Sequence, residues 1–212
     1  MLEFQLAHAR ARDAVGAVFQ TEGFGAAIGR PVSVVASAAP DHATYLQRPD
    51  LGRKLAEADR ARLVEGCSDV AFVVGDGLSA TAVQRHAAPL LTALFERLDD
   101  WRIAPVVLAR HARVALGDEI GALMAARMVV MLIGERPGLS APDSLGAYLT
   151  WEPRPGRRDS ERNCVSNIRP PHGLGYIPAA DQIVWLMTQA RARQLSGVDL
   201  KVDAGALRAP EI

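Results

Sequence analysis

Apolar residues near the start of the chain recur at a roughly helical spacing. They are Leu2, Leu6, Ala9, Val15 and Phe19. This spacing predicts an opening helix, because residues three or four positions apart share one helix face. Gly23 and Gly25 follow, where a helix of this length is expected to end.

Apolar blocks alternate with helical patterns from residue 69 onwards. The blocks predict buried strands at residues 69–74, 103–109 and 128–133. The helical patterns cover residues 80–98, 118–125 and 179–195. Strands that are apolar on both faces are typical of parallel sheets covered by helices on both sides. We therefore predict an α/β fold: a doubly wound, mostly parallel, Rossmann-like sheet with helices on both faces and an N-terminal helical extension.

The segment before residue 66 has weaker patterns. Residues 31–36 form a β-branched run that predicts a strand, and Asp41 begins a helical turn that reaches Tyr45. Asp50 is placed to cap a helix over residues 55–64.

The segment after residue 138 is also less regular. Residues 148–151 favour a strand, and residues 153–162 form a polar loop rich in arginine. Residues 163–171 are expected to be irregular.

The composition fits one globular domain. The 212 residues include 49% hydrophobic and 23% charged side chains, and 24 basic residues balance 24 acidic ones. Zero net charge argues against a nucleic-acid interface or a polybasic membrane anchor, and favours association with a partner protein. We divide the chain into an N-terminal helical segment (residues 1–65), an α/β domain (66–200) and a flexible tail (201–212).

Two features predict a cytosolic protein with reduced thiols at Cys67 and Cys164. The N-terminus carries charged residues instead of the apolar core of a signal peptide. The longest apolar run, residues 128–133, is much shorter than the roughly 20 residues that a membrane helix needs.

Three loops follow predicted strands, at residues 75–80, 110–114 and 134–138. In an open α/β sheet, ligands bind beyond the carboxyl ends of the strands. The three loops therefore predict a binding site, but not the identity of its ligand.

The first of these loops contains a G-x-G-x-x-A pattern through Gly75, Gly77 and Ala80. A dinucleotide site of this kind also needs an acidic residue at the end of the next strand. That predicted strand ends at Ala109 and Arg110 instead. We favour a tight strand-to-helix turn, and a standalone nucleotide-binding α/β protein stays the alternative.

No pattern predicts a self-sufficient catalytic or metal centre. Ser79 lies outside any G-x-S-x-G motif and is better placed to cap the helix that follows. His86 and His111 lack metal-ligand spacing with each other and with either cysteine. We predict no catalytic residue and no metal ligand in this chain.

Glu135 and Cys164 each have two interpretations. Glu135 lies between Gly134, which permits close approach of a backbone, and a turn that Pro137 makes rigid. It is either a ligand contact or a turn carboxylate paired with Arg136. Cys164 lies among amide and hydroxyl residues, and is either part of a binding surface or a small buried side chain.

Six ordered motifs run through the chain: YLQRPDLGR at residues 45–53, DGLS at 76–79, GDEIG at 117–121, GERPGL at 134–139, DSL at 143–145 and RNCVSNI at 162–168. Together they resemble those of one family, the small (light) subunit of ethanolamine ammonia-lyase. The family has an acidic residue after GDEIG, where this chain has Ala122. The resemblance extends over about residues 1–200.

The resemblance implies a subunit that is active only with a large TIM-barrel partner, within a higher heteromeric assembly. The large subunit binds ethanolamine, and adenosylcobalamin between the subunits supplies a radical through homolysis of its Co–C bond. The products are acetaldehyde and ammonia. The family's cobalamin contacts match Val114, Glu135 and Cys164 here, although Ala112 replaces the glycine of the family's G-R-V element before Val114.

The family usually carries a longer N-terminal region with a GRAGxRPxT-type element, and the printed sequence begins after it. Two explanations are consistent with this difference. One is a different gene start, and the other is divergence into an interaction protein that has lost cofactor function. The sequence leaves both open, together with the number of subunits and residence in a bacterial microcompartment.

Overall fold

The computed structural model describes residues 2–200, so the predicted tail (201–212) lies outside the described residues. Its helices are α1 (Leu2–Gly16), α2 (Phe24–Ile28), α3 (His42–Gln47), α4 (Ala80–Phe95), α5 (Leu116–Leu123) and α6 (Tyr176–Arg193). Its strands are β1 (Val32–Ala36), β2 (Ser68–Gly75), β3 (Val106–Arg110), β4 (Ala126–Gly134), β5 (Leu145–Trp151) and β6 (Arg162–Ile168). Short 3₁₀ turns cover Leu51–Arg53, Glu57–Arg62, Asp159–Glu161 and Gly197–Asp199.

The strands form one six-stranded sheet in the order β1-β3-β2-β4-β5-β6. The first four strands in this order are mutually parallel, and β5 and β6 continue the sheet in antiparallel pairings. Gly75, at the end of β2, pairs with Ala109 of β3 and with Ile133 of β4. The carboxyl ends of these three strands therefore lie side by side. The prediction of an α/β fold is confirmed, with a mixed sheet.

The core lies on both faces of the sheet because alternate residues of a strand point to opposite sides. Phe72 and Val74 of β2 face the side covered by α4 and α6. Ala71 and Val73 face the side covered by α5. Burial on both sides explains why β2 is apolar almost throughout.

The N-terminal part corrects one prediction and confirms another. The opening helix ends at Gly16, earlier than predicted, and Phe19 packs in the core against Phe24, with ring centroids 6.3 Å apart. The predicted strand at residues 31–36 is confirmed, since Val32–Ala36 pair with β3 and form an edge strand of the sheet. The segment 1–65 therefore adds a strand as well as helices, and the domain boundary near residue 65 stays a prediction.

The predicted helix over residues 55–64 is wrong. Asp50 caps no helix, because its carboxylate accepts hydrogen bonds at 2.9 and 2.8 Å from the guanidinium of Arg48. Lys54 has an extended backbone, which divides the segment into two 3₁₀ turns.

The expectation of an irregular segment at residues 163–171 is also wrong for its first half. Residues Arg162–Ile168 form β6, the strand at the opposite edge of the sheet from β1. This strand pairs on one side only, and a register shift interrupts its pairing with β5. Because an edge strand is partly exposed, most of its residues are polar, and they lack the strict alternation that predicts a strand.

None of the helices within residues 2–200 has both the length and the apolar composition to cross a bilayer.

Candidate functional site

The loop after β2 binds both of the neighbouring loops at the carboxyl edge of the sheet. The carboxylate of Asp76 accepts hydrogen bonds from the backbone N–H groups of His111, at 2.8 Å, and Ala112, at 2.9 Å. The N–H of Leu78 donates to the carbonyl oxygen of Gly134 at 3.0 Å. The three loops that the sequence singled out are therefore one connected structure.

Burial raises the pKa of the Asp76 carboxyl, and the two backbone donors oppose that shift because they stabilise the ionised form. His111 has a positive φ of 54°, and this left-handed conformation turns its N–H toward the carboxylate. Asp76 is thus a structural carboxylate that holds the loop after β3 in position.

The glycines of the G-x-G-x-x-A pattern are used for packing within the chain. Gly77 has a φ of 58°, and a Cβ atom there would lie 2.2 Å from the carbonyl oxygen of Gly134. A Cβ atom at Gly134 would lie 2.1 Å from the carbonyl oxygen of Ser79. In a dinucleotide site, a phosphate would approach the second glycine, which here is Gly77. That space is filled by the backbone of Gly134.

Ser79 caps α4, as predicted, by accepting a hydrogen bond from the N–H of Ala82 at 3.2 Å. Its hydroxyl donates to the carbonyl oxygen of Pro142 at 2.9 Å. These contacts favour the tight-turn interpretation of this loop over a nucleotide site.

A cavity of about 430 Å³ opens between the three loops and β5. Leu78, Val114 and Ile133 give it apolar walls, and Tyr45 and Tyr148 add aromatic ones. Its charged groups are the carboxylate of Glu135 and the guanidinium groups of Arg113 and Arg136. Apolar and aromatic walls with a small number of polar groups are the usual form of a cofactor or small-molecule site. Val114 and Glu135 come from different loops and meet here.

Three donors hold the Glu135 carboxylate. The hydroxyls of Ser144 and Ser166 donate to Oε2 and Oε1, each at 2.5 Å, and the N–H of Asn167 donates to Oε2 at 3.3 Å. Glu135 therefore ties the end of β4 to β5 and β6, and its hydrogen-bond partners differ from the predicted Arg136. Gly146 leaves room for it, since a Cβ atom there would lie 2.8 Å from Oε1.

Cys164 lies one strand beyond the cavity. It is exposed on β6 and pairs directly with Tyr148 of β5, which lines the cavity. Although the residue is exposed at the edge of the sheet, neighbouring groups keep water from part of its thiol and so raise the pKa of Cys164. The negative charge of Glu135 raises this pKa further. Burial also raises the pKa of the Tyr148 hydroxyl. The structure thus brings Val114 and Glu135 into one cavity and places Cys164 next to it.

Tyr45 and Arg113 are cavity residues that the sequence analysis did not select. Tyr45 is fully buried, and its hydroxyl donates to the carbonyl oxygen of Ala112 at 3.0 Å. The guanidinium of Arg113 lies over the Tyr45 ring, 4.4 Å from its centroid. The available signal was the YLQRPDLGR motif, which begins at Tyr45.

A larger cavity, of about 740 Å³, lies where α1, α4 and the loop before β5 meet. Of its two acidic residues, Asp13 and Asp143, the carboxylate of Asp143 binds Arg85 at 2.8 Å and lies 3.8 Å from Arg169. The two arginines of this cavity are thus already engaged within the chain, and we base the candidate site on the smaller cavity. Within residues 2–200, no three His, Cys, Asp or Glu side chains come together in a way that could hold a metal ion.

Comparison with known families gives a match over nearly the whole chain. The family model described as ethanolamine ammonia-lyase light chain matches residues 1–201. The ethanolamine ammonia-lyase small subunit of Azotobacter vinelandii is 52% identical, over 98% of this chain and 80% of its own length. Those of Pseudomonas paraeruginosa and Pseudomonas putida are 53% identical, over 96% of this chain and 78% of their own lengths.

Proposed function

The chain belongs to the ethanolamine ammonia-lyase light chain family, and from this premise we propose that it is the small subunit of that lyase and forms part of an adenosylcobalamin site. Together with a large subunit it would convert ethanolamine to acetaldehyde and ammonia. The proposal assigns Val114, Glu135 and Cys164 to the cofactor and gives this chain no catalytic residue of its own.

The observation that carries this proposal is the spare acceptor on Glu135 beside the apolar and aromatic walls of the cavity. A carboxylate has about four lone-pair positions. Ser144, Ser166 and Asn167 use three of them and leave one on Oε1. A corrin ring has an apolar body with amide side chains around its rim. Val114 and Tyr148 would pack against the body, and Glu135 would accept one amide hydrogen bond.

The cavity is open on one side and holds only part of so large a cofactor. A second protein surface is therefore needed to cover the remainder, which supports a site at a subunit interface. Adenosylcobalamin supplies a Co–C bond that breaks homolytically, and the protein supplies binding and orientation. Cys164 would extend the contact surface beyond Tyr148, through packing and backbone groups.

The proposed role of Glu135 is tested by Glu135→Gln in the complex with the large subunit. The glutamine amide keeps the size of the side chain and removes the charge and the spare carboxylate acceptor. We expect adenosylcobalamin to bind about 10-fold more weakly, as for the loss of one hydrogen bond to a charged group. Equilibrium dialysis with detection of cobalamin absorbance measures this change. Unchanged affinity would refute the assignment of Glu135.

Two control variants separate binding from structural damage. Ser166→Ala removes one donor to Glu135 but keeps the carboxylate, so cobalamin affinity should fall by much less than in Glu135→Gln. Glu96→Gln changes an exposed glutamate next to the C-terminus of α4 and should leave cobalamin affinity unchanged. The unfolding free energy of each variant shows whether its fold is intact.

The topology supports the doubly wound arrangement that the sequence predicted. The β2–α4–β3 and β3–α5–β4 crossovers place their helices on opposite faces of the sheet. Right-handed crossovers that lead in opposite directions require this placement. We also propose a cytoplasmic location with reduced thiols, and fractionation of cells would test residence in a microcompartment.

A further inference from the structure

A second cavity, of about 450 Å³, adjoins the first one. Its charged lining comes from five arginines and one aspartate, namely Arg53, Arg113, Arg157, Arg158, Arg162 and Asp159. Arg113 and Val114 line both cavities. The second cavity, here called the arginine cavity, therefore adjoins the proposed cofactor site and shares a wall with it.

Two of the five arginines are neutralised by carboxylates. Arg162 is buried and pairs with Asp118, and it also holds Asp159 at 2.7 Å. Arg157 pairs with Glu161 at 2.5 Å. These pairs fix the hairpin between β5 and β6, and they use the one acidic residue that lines the cavity.

The other three arginines carry positive charge into the cavity. Among the side chains that the structure describes, no carboxylate lies within ion-pair distance of Arg53, Arg113 or Arg158. Like charges brought together without counter-ions cost free energy, which an anionic ligand would offset. The arginine cavity therefore has the charge of an anion site.

Arg113 is held in place before any ligand binds. Its N–H donates to the carbonyl oxygen of Gly52 at 2.8 Å, and a Cβ atom at Gly52 would lie 2.8 Å from the Arg113 Cγ. Its guanidinium lies over the ring of Tyr45. Its Nε is buried with no hydrogen-bond partner in the part of the chain that the structure describes. The side chain is thus fixed in position while its donor capacity is left incomplete.

These contacts give the YLQRPDLGR motif a physical role. Tyr45 and Gly52 pack against the side chain of Arg113. Pro49 and Arg53 form part of the wall of the arginine cavity. The helix α5 begins next to this wall at Ala115, with no side-chain cap on its N-terminus. An uncapped N-terminus adds partial positive charge to that of the arginines.

We propose that the arginine cavity binds a phosphodiester group, that of the nucleotide loop of cobalamin. The inference rests on the proposed function, since the corrin would occupy the first cavity. The amides on a corrin rim are neutral, whereas the nucleotide loop beside the ring carries one phosphodiester anion. Planar guanidinium groups match phosphate oxygens through paired hydrogen bonds.

The test compares corrinoids with and without a phosphate group. Adenosylcobinamide lacks the nucleotide loop, adenosylcobinamide phosphate keeps the phosphate, and adenosylcobalamin keeps the whole loop. Each is titrated into the complex with the large subunit by isothermal calorimetry. Wild-type complex should bind the phosphate-bearing corrinoids about 10–100-fold more tightly than cobinamide. The double variant Arg53→Ala/Arg158→Ala should lose most of this preference and keep its affinity for cobinamide.

Further variants distinguish geometry from charge. Arg113→Lys keeps the positive charge but loses the planar fork, so its preference for phosphate-bearing corrinoids should fall between those of wild type and the double variant. Arg154→Ala removes an exposed arginine from the same hairpin that does not line the cavity, and should leave the preference unchanged.

Each remaining outcome has a distinct meaning. If the double variant lost the same affinity for all three corrinoids, the phosphate subsite would be refuted, whereas the proposed cofactor site would be unaffected. Failure of the double variant to assemble would assign the arginines to carboxylates of the large subunit and overturn the inference. Binding of inorganic phosphate alone, without preference among corrinoids, would assign the cavity to free phosphate and also overturn it. A wild-type complex that binds no corrinoid would refute the proposed function itself.

Discussion

At the residue scale, Cys164 and Cys67 provide an internal comparison across the molecule. Cys164 pairs with Tyr148 midway along strands β5 and β6, within the electrostatic influence of the Glu135 carboxylate. Cys67 precedes β2 and is therefore at the amino edge. Both are exposed and free. The thiolate is the reactive form of cysteine, so a raised pKa slows alkylation at a given pH.

We predict that cobalamin protects Cys164 and leaves Cys67 unprotected. In the complex with the large subunit, added adenosylcobalamin should slow iodoacetamide labelling of Cys164 severalfold, because the cofactor covers its surface. Peptide mass spectrometry measures both sites in one sample. Cys67 serves as the control, since it is distant from both cavities of the site. Equal labelling of Cys164 with and without cofactor would contradict its assignment.

The residues of the site were predictable to different degrees. Glu135 was selected because a rigid loop with a carboxylate follows a buried strand, and the family resemblance assigned its ligand. Tyr45 and Arg113 were not selected, because they are 68 positions apart in sequence and meet only in the folded chain. Local patterns carry no information about such a contact.

At the element scale, the turn between β2 and α4 and the end of β4 depend on close backbone approach. Gly77 and Gly134 each leave the space that a carbonyl oxygen of the other loop occupies. The order of the strands places these loops side by side, since β2 and β4 are adjacent and parallel. A side chain at either position would separate these two walls of the candidate cavity.

We predict that Gly77→Ala destabilises the protein more than Gly29→Ala. Both glycines have a left-handed backbone, with φ of 58° and 64°, but a Cβ atom at Gly29 meets nothing within 4 Å. Gly29→Ala should cost about 1–2 kcal/mol of unfolding free energy, from backbone strain alone. Gly77→Ala should add about 1–3 kcal/mol, from collision with Gly134. Urea unfolding compares them, and equal losses would show that the turn adapts at little cost.

A second prediction concerns the start of β2, where Asp69 binds Arg102. The Asp69 carboxylate accepts hydrogen bonds from the Arg102 backbone N–H at 3.0 Å and from its guanidinium at 2.9 Å. The Arg102 hydrogen bonds lower the pKa of the Asp69 carboxyl below its ordinary value of 3.8. A carboxyl whose pKa is lower in the folded than in the unfolded state stabilises the fold at any pH above its unfolded pKa. This stabilisation is lost as the pH falls through the folded pKa.

Asp69→Asn should therefore cost about 1 kcal/mol of unfolding free energy near pH 7, with allowance for the exposure of Arg102. The difference from wild type should shrink as pH falls from the unfolded pKa of about 3.8 through the lower folded pKa, at which the carboxyl of the folded protein becomes protonated. Asp100→Asn, at an exposed position near Arg102, is the control and should have no effect. A difference independent of pH would mean that the charge of Asp69 contributes nothing.

The helices and strands were predictable where packing follows a simple period. Strands β2 and β4 were found because they are buried on both faces, and α4 because its apolar residues share one face. Strand β6 was missed because it pairs on one side and carries polar residues toward Glu135. A helix was predicted after Asp50 where the structure has two 3₁₀ turns, because the carboxylate expected to cap that helix accepts hydrogen bonds from Arg48 instead.

At the scale of the whole molecule, the two cavities lie on one side of the chain and share a wall. The first offers apolar surface, one carboxylate and two arginines, and the arginine cavity offers a larger excess of positive charge. A zero net charge overall makes this local excess of arginine a feature of the site and not of the whole surface. The order of strands brings the loops together, so the location of the site was predictable from α/β topology even though its composition was not.

A site shared between two subunits makes cofactor binding and subunit association reciprocal. If the large subunit raises the affinity of this chain for adenosylcobalamin by some factor, adenosylcobalamin must raise the affinity between the subunits by the same factor. We expect this factor to be about 5–150, because each subunit alone would cover one side of the cofactor. Titrations of cobalamin with and without the large subunit give one value, and subunit titrations with and without cobalamin give the other. Equal values well above one are expected, whereas a factor of one in both titrations would place the cofactor away from the interface. In that case the open side of the cavity would face solvent, and the spare acceptor of Glu135 would require a different ligand.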